Sequence, residues 1–393
     1  MKKLSPAPHR ETSVPLSANW LKNVRRRLLD WFEGAQRPLP WRSTRDPYAI
    51  WLSEIMLQQT TVATVTPAYR RFLIAFPTLA DLAAASESQV LRAWEGLGYY
   101  RRARQLHSAA QILMRDHQGI FPRDPRQILA LPGIGRYTAG AIASIAFDLP
   151  EPILEANTYR VWARLLGETR PVRHTATQAR LWEAAAKIHS SRKTGAGQLN
   201  QALMELGSQI CLPKVPGCLI CPVQSLCAAY QSGQVAQIPA AEAGTNWTLR
   251  HEGAVIVSEE RGLLMTQYAD GVRWAGLWDV PRVVFSTGES IPTEIAVPWE
   301  KPWTNTLKKI LATKVPGRWR IGPWFRRFKH TVTRYKITLD VWQANWRGKT
   351  SLGPKSFDPR EYRDVRWVPL DQLAGLPLST TGRKIVNEYL GEN

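Results

Sequence analysis

Every cysteine of this chain lies in one 17-residue window: Cys211, Cys218, Cys221 and Cys227, spaced C-x6-C-x2-C-x5-C, with Pro213, Pro216 and Pro222 among them. Four thiolates on one compact loop, with no spare cysteine and no nearby histidine, form a metal-site signature. They suit a cubane iron–sulfur cluster, which takes four sulfur ligands, or a structural zinc held tetrahedrally. Two disulfides are the poorer account. They need an oxidising compartment, and the N-terminus, MKKLSPAPHRETSVPLSANW, has basic residues with no apolar stretch behind them. Zinc ribbons bring two C-x2-C pairs separated by a longer loop, whereas here one pair sits between single cysteines. Spacing alone therefore favours iron–sulfur and leaves zinc open.

With 393 residues and 44% hydrophobic content, the chain is long enough for two or more domains with real cores. Its longest apolar stretch, Ala139 to Phe147, is interrupted by Gly140 and Ser144. That is far short of the roughly 20 residues of a membrane helix, so a globular protein with no membrane partner is expected. A net charge of +20, with arginines in groups such as 25–27, 101–102 and 326–327, calls for a polyanionic partner, and nucleic acid is the first such polyanion. A solvated basic face is the competing account of the same charge.

The grammar of the sequence changes once. Residues 1–17 are polar and without periodicity, and read as a mobile tail. Residues 18–231 read as an all-α region, with helical spacing such as Leu21, Val24, Leu28, Leu29 and Phe32, broken by Pro and Gly. Residues 232–247 lack amphipathic order and read as a linker. From 248 to 393, strand-like runs (Gly253–Val257, Leu263–Gln267, Tyr335–Val341) alternate with turns and a late helical segment, Gly382–Tyr389, so this half reads as α+β. Ten of the 17 tryptophans lie from Trp247 onward, and packing is their default role.

Within the helical half, Ile128 to Ile145 (ILALPGIGRYTAGAIASI) runs one helix into Leu131-Pro132-Gly133-Ile134-Gly135 and starts another. Gly133 and Gly135 permit a tight turn that exposes backbone N–H groups at a helix N-terminus, a site for phosphate that needs no side-chain charge. LPGIG between helices resembles the helix-hairpin-helix DNA-binding motif, which grips backbone and reads no sequence.

With the cysteine loop behind that hairpin, residues 20–230 resemble the helix-hairpin-helix DNA glycosylases that carry a four-iron cluster. Leu39-Pro40-Trp41-Arg42, Ser53 to Thr60 (SEIMLQQT), Trp94 to Tyr100 (WEGLGYY) and Asn200 to Leu203 (NQAL) resemble the adenine DNA glycosylases of the MutY type. The resemblance implies a 4Fe-4S cluster on the four cysteines, duplex DNA as partner, and excision of adenine paired with 8-oxoguanine or guanine. It also implies a monomer in the bacterial cytoplasm, at the nucleoid.

Adenine is a poor leaving group, so its excision needs a proton on the purine and an anion beside an oxocarbenium-like sugar, the two demands that paired carboxylates meet in glycosidases. Glu54 is charged within an apolar segment, where desolvation raises a carboxyl pKa. The resemblance makes it the general acid toward N7. The second family carboxylate is an aspartate, and here Glu155 stands at that point, one carbon–carbon bond of about 1.5 Å longer. We expect it still to stabilise the cation, with Asn157 in support. Tyr137 occupies the place of the Schiff-base lysine of endonuclease III-type relatives, which implies no lyase activity. Since a base must leave the stack to be cut, the resemblance implies that Gln59 plugs the duplex and that Tyr99, with Leu97, wedges beside 8-oxoguanine. It further implies that Arg42 and Gln201 bind the adenine edge, with Trp41 and Leu57 lining the pocket.

In the second half, Ala275 to Pro281 (AGLWDVP) resembles a strand of a MutT-like, or Nudix-like, recognition domain. The acidic box of the nucleotide hydrolases is missing, so hydrolysis there is not expected. The family's Phe-Ser-His recognition loop becomes Val332-Thr333-Arg334, which makes Thr333 and Arg334 the candidates for 8-oxoguanine recognition. Two rival functions stand beside this one: a glycosylase for thymine or uracil opposite guanine, and a lesion-binding protein with impaired catalysis.

Overall fold

The computed structural model describes residues 16–189, 194–240, 246–288, 301–348 and 357–391. Most of the tail, residues 241–245 of the linker stretch and the 289–300 and 349–356 segments lie outside that set. The chain divides into two compact units. The first holds residues 1–83 and 108–243, and the second holds 84–107 and 244–393.

The helices are α1 (Ala18–Ala35), α2 (Pro47–Leu57), α3 (Val62–Ala75), α4 (Leu79–Ala84), α5 (Glu87–Ala93), α6 (Arg101–Asp116), α7 (Pro125–Ala130), α8 (Arg136–Phe147), α9 (Ala156–Leu166), α10 (Thr175–Lys187), α11 (Ala196–Gln209), α12 (Ala228–Gln231), α13 (Lys301–Lys314) and α14 (Thr380–Leu390). None is long and apolar enough to cross a membrane among the described residues.

In the first unit, α1 buries Leu21, Val24, Leu28 and Phe32. That stripe packs with Val161, Trp162 and Leu165 of α9 and with Leu199, Leu203 and Leu206 of α11. Ser17 accepts from the Trp20 N–H and caps the helix. Helix α2 has no polar face: everything from Tyr48 to Met56 is buried, Ser53 and Glu54 included. A helix hydrophobic all round belongs in a core, and α2 is started by Asp46, which accepts from the Tyr48 and Ala49 N–H groups, with Pro47 at its first turn. Residues 232–240 belong to the first unit, where Ile238 is buried against Ala163 and Ala229.

The second unit has strands β1 (Thr248–Ile256), β2 (Ser258–Glu259), β3 (Gly262–Tyr268), β4 (Trp278–Asp279), β5 (Arg282–Gly288), β6 (Arg318–Val332), β7 (Tyr335–Arg347) and β8 (Tyr362–Val368). One sheet runs β5-β1-β7-β6, with β1 and β7 parallel and the other pairs antiparallel. A smaller antiparallel sheet gathers β2, β4 and β8 around β3. The expected strand runs fall in β1, β3 and β7, except that β1 ends one residue before Val257, and the late helix is α14. Strand β6 escapes a sequence reading because Gly322-Pro323 interrupts it and its register with β7 shifts on either side of Trp324.

Candidate active site

In the first unit, α2, the N-termini of α8 and α9, and α11 surround a cavity of about 1000 Å³. Glu54 and Tyr137 line it together with Glu155 and Asn157. The hydroxyl of Tyr137 donates to Glu54 Oε2 at 2.6 Å. Burial pushes the Glu54 carboxyl up to about 7, and the charge on Glu155 adds to that, while the Tyr137 bond and the Arg42 charge act against it. Half-protonated near neutrality, Glu54 has the acidity of a proton donor. Tyr137 is raised well above the ordinary phenol range, first by burial and then by the charges on Glu54 and Glu155, so it stays a donor.

Glu155 is the N-cap of α9. Its carboxylate accepts from the Asn157 N–H at 2.8 Å and from the Thr158 N–H at 3.0 Å, and the Thr158 hydroxyl accepts from the Glu155 N–H at 2.8 Å. These amides belong to the second and third helical residues, the donors an aspartate cap would use. The longer side chain therefore folds back onto the helix N-terminus, so the carboxylate position is set by the cap and not by chain length. Burial raises its pKa, and the two amide bonds oppose the rise.

Four more expected residues meet in the same cavity: Trp41, Arg42, Leu57 and Gln201. Gln59 reaches it from the loop after α2, exposed and with φ +58°. Arg42 is not an isolated donor there. Its Nη2 pairs with Glu205 Oε2 at 2.7 Å, and Arg37 Nε pairs with Oε1 at 2.7 Å. Burial favours a neutral Glu205, but the hydrogen bonds and charges of the two arginines outweigh it and hold the carboxyl at about 2. Arg37 and Glu205 also line the cavity, and the motif reading overlooked both. The available signal was a lone acid one helical turn beyond Gln201, in the otherwise apolar run Ala202-Leu203-Met204.

Gly135 is the N-cap of α8 and lines the cavity, while Gly133 lies in the preceding turn with φ +76°, a conformation that favours glycine.

The four cysteines form no disulfide and are partly buried, and Cys211, Cys221 and Cys227 pack beside the core. Burial pushes the Cys221 thiol up to about 12, with the charges on Cys211, Cys227 and Cys218 adding to it, so the sulfurs share one electrostatic neighbourhood. Among the described residues no three or more His, Cys, Asp or Glu side chains close on a position for a metal ion. The donor set nonetheless fits a four-sulfur group by its chemistry. Two arginines of α9 fix this loop. Arg160 Nε donates to Cys211 O at 2.6 Å and its Nη2 to Asn157 Oδ1 at 3.0 Å. Arg164 Nη1 donates to Leu212 O at 2.7 Å and to Cys211 Sγ at 3.3 Å. The loop is thus tied to the helix that Glu155 caps.

Leu97, Tyr99, Thr333 and Arg334 belong to the second unit. Tyr99 is 48% exposed with φ +47°, on a turn where Gly96 and Gly98 also have positive φ. Leu97 is buried and supports the turn from inside. Thr333 and Arg334 form the two-residue turn between β6 and β7, closed by the Val332–Tyr335 pair. Thr333 has φ +51°, a strained position for a β-branched residue. Its hydroxyl donates to Val332 O at 2.8 Å, and the Arg334 guanidinium lies 5.3 Å from the Tyr335 ring centre. The buried acids of this unit are engaged internally: Glu252 with Arg282, Asp340 with His251 at 2.8 Å and Arg327 at 2.9 Å, and Asp279 with Ser379 at 2.8 Å.

The profile of the HhH-GPD superfamily base excision DNA repair proteins matches residues 52–187, and that of the NUDIX domain matches residues 253–388. Adenine DNA glycosylase of Mus musculus is 32% identical, over 93% of this chain and 77% of its own length. Adenine DNA glycosylase of Homo sapiens is 31% identical, over 93% and 73%. Among solved structures, a thermostable thymine-DNA glycosylase is 30% identical with a TM-score of 0.50, covering 55% of this chain and 98% of that one.

Proposed function

The chain belongs to the adenine DNA glycosylase family, with a helix-hairpin-helix catalytic region and a Nudix-like second half, and from that premise we propose that it excises adenine paired with 8-oxoguanine or guanine. It is a base-excision repair glycosylase that hydrolyses the N-glycosyl bond of adenine in DNA.

The observation that carries the mechanistic reading is the Tyr137–Glu54 hydrogen bond inside a cavity that also holds Glu155. Tyr137 donates to Oε2, so the transferable proton of neutral Glu54 sits on Oε1. Delivered to N7 of a flipped adenine, that proton makes the purine a neutral leaving group as the bond from C1' to N9 breaks. The sugar cation left behind faces the Glu155 carboxylate, which two backbone amides preorganise and no reorganisation need deliver. Water then adds to C1' and gives its proton to a carboxylate. Arg42, ion-paired to Glu205, and Gln201 address the adenine edge, with Trp41 and Leu57 as apolar walls. Gln59 fills the gap in the duplex. Tyr137 supplies no amine, which favours hydrolysis without strand cleavage. Cys211, Cys218, Cys221 and Cys227 are the residues that would hold a 4Fe-4S cluster, which would fold the loop and take no part in bond breaking.

Excision is tested on duplexes carrying adenine opposite 8-oxoguanine, guanine and cytosine, with thymine and uracil opposite guanine as the rival substrates. Release of adenine from the first two is expected, and Glu155→Gln should slow it by roughly 10²-fold or more. Adenine retained in all duplexes, or a Glu155→Gln enzyme as fast as the native one, contradicts the reading. Purified protein should carry roughly four irons per chain with a broad visible absorption, whereas a colourless zinc protein contradicts the cluster.

A further inference from the structure

The turn that exposes Tyr99 is held from two sides within the second unit. From inside, Trp94 Nε1 donates to Gly98 O at 3.1 Å, and Arg102 Nη2 donates to Leu97 O at 3.0 Å and Gly98 O at 3.2 Å. Among the described residues, no atom beyond the adjoining ones in the chain lies within 4 Å of a Cβ built on Gly96 or Gly98, so positive φ and not crowding is what calls for glycine there.

The other side is the end of the chain. Arg383, on α14, donates from Nε to Glu95 Oε1 at 2.8 Å and from Nη2 to Glu95 Oε2 at 3.1 Å, a bidentate pair with side chains only 18% and 14% exposed. The same guanidinium donates to Leu373 O and Leu376 O at 2.9 and 2.8 Å. Arg92 adds a third donor to Glu95 at 2.8 Å and holds Ala374 O at 2.6 Å. Tyr100, next to Tyr99, donates to Leu378 O at 3.3 Å. Close packing continues along α5, where a Cβ on Gly276 would stand 2.9 Å from both Glu87 and Leu91, and Arg104 donates to Ala275 O. Both residues flanking the turn, Glu95 and Tyr100, are thus bound to residues more than 270 positions away.

We propose that the Glu95–Arg383 pair is a positioning clamp that fixes the Tyr99 turn against α14 within the second unit, so that this packing sets opposite-base discrimination through Tyr99. The inference rests on the reading of Tyr99 as the residue that enters beside the opposite base. Exposed and strained, Tyr99 can act as a rigid wedge only if its flanks are fixed, and Glu95 lies four residues from it in a pair largely withdrawn from water.

The test compares single-turnover adenine excision from duplexes with 8-oxoguanine and with guanine opposite the adenine, for full-length native protein and variants. Glu95→Gln and Arg383→Gln should each lower the ratio of the two rates by about tenfold. Arg383→Lys, which keeps the charge but not the fork, should fall between. Glu95→Arg combined with Arg383→Glu should recover part of the loss. Arg92→Gln, a milder cut at a half-exposed donor, serves if a harsher variant fails to fold, and should lower the ratio less. A native ratio in folded Arg383→Gln and Glu95→Gln, or in Arg92→Gln where it alone folds, overturns the clamp. Tyr99→Ala separates the two layers. If it leaves the ratio unchanged, the reading of Tyr99 fails and the clamp with it, whereas a loss with Tyr99→Ala but not with Arg383→Gln removes the clamp alone.

Discussion

Glu54 shows how one residue's surroundings govern both chemistry and stability. Its carboxyl rises from 4.5 to about 7, a difference equivalent to roughly 3 kcal/mol. Below about pH 4.5 the group is neutral in folded and unfolded chains alike. As pH climbs through 7 the folded protein must hold a buried charge, and the stability present at low pH is lost. Glu54→Gln should therefore melt like the native protein near pH 4 and above it at pH 8, by up to roughly 3 kcal/mol, while excision disappears. Native excision should fall as pH rises through about 7 because the acid form is lost, and a rate that climbs steadily to pH 9 would contradict Glu54 as the donor. Glu205 is the converse case, an acid held ionised by two arginines. Glu205→Ala leaves Arg37 and Arg42 without their shared anion, and should cost about 3–5 kcal/mol of stability and slow adenine excision. A melting point within a degree of native would argue that water replaces the carboxylate.

At the scale of elements, the start of α9 carries the most consequence. Its N-cap is also a proposed active-site anion, so the device that begins the helix fixes the carboxylate. The motif WEGLGYY and the sequence around Glu155 were legible as candidate sites, but where Glu155 sets its carboxylate was not, because a side chain can curl onto amides that its own backbone presents. Thr158→Val removes the reciprocal bond to the Glu155 N–H. It should cost about 1 kcal/mol and slow excision without altering duplex affinity. Gly207 tests the same element from the outside, since an added Cβ would stand 2.8 Å from Asn157 Cβ and force α9 and α11 apart. Gly207→Ala should destabilise by about 1–3 kcal/mol in a denaturant titration.

On the whole-molecule scale, the charge of +20 belongs to a protein that works on a polyanion. Duplex affinity should fall roughly 10³-fold between about 50 and 200 mM salt, and a nearly flat salt profile would remove backbone contact as the main source of binding. The sequence by itself determined the helical first half, the strands of β1, β3 and β7, the hairpin, the cysteine window and a set of candidate site residues that lacked Arg37 and Glu205, because periodicity, turn chemistry and short motifs are local. It did not contain the pairings of distant groups. That Arg42 meets Glu205, that Glu155 is pinned by its own helix, and that residues 84–107 fold with the second unit through Glu95 and Arg383 were decided in three dimensions. Burial is the physical reason. A carboxylate's pKa, a guanidinium's partner and a turn's rigidity depend on which groups displace water around them, and residues hundreds of positions apart do that displacing.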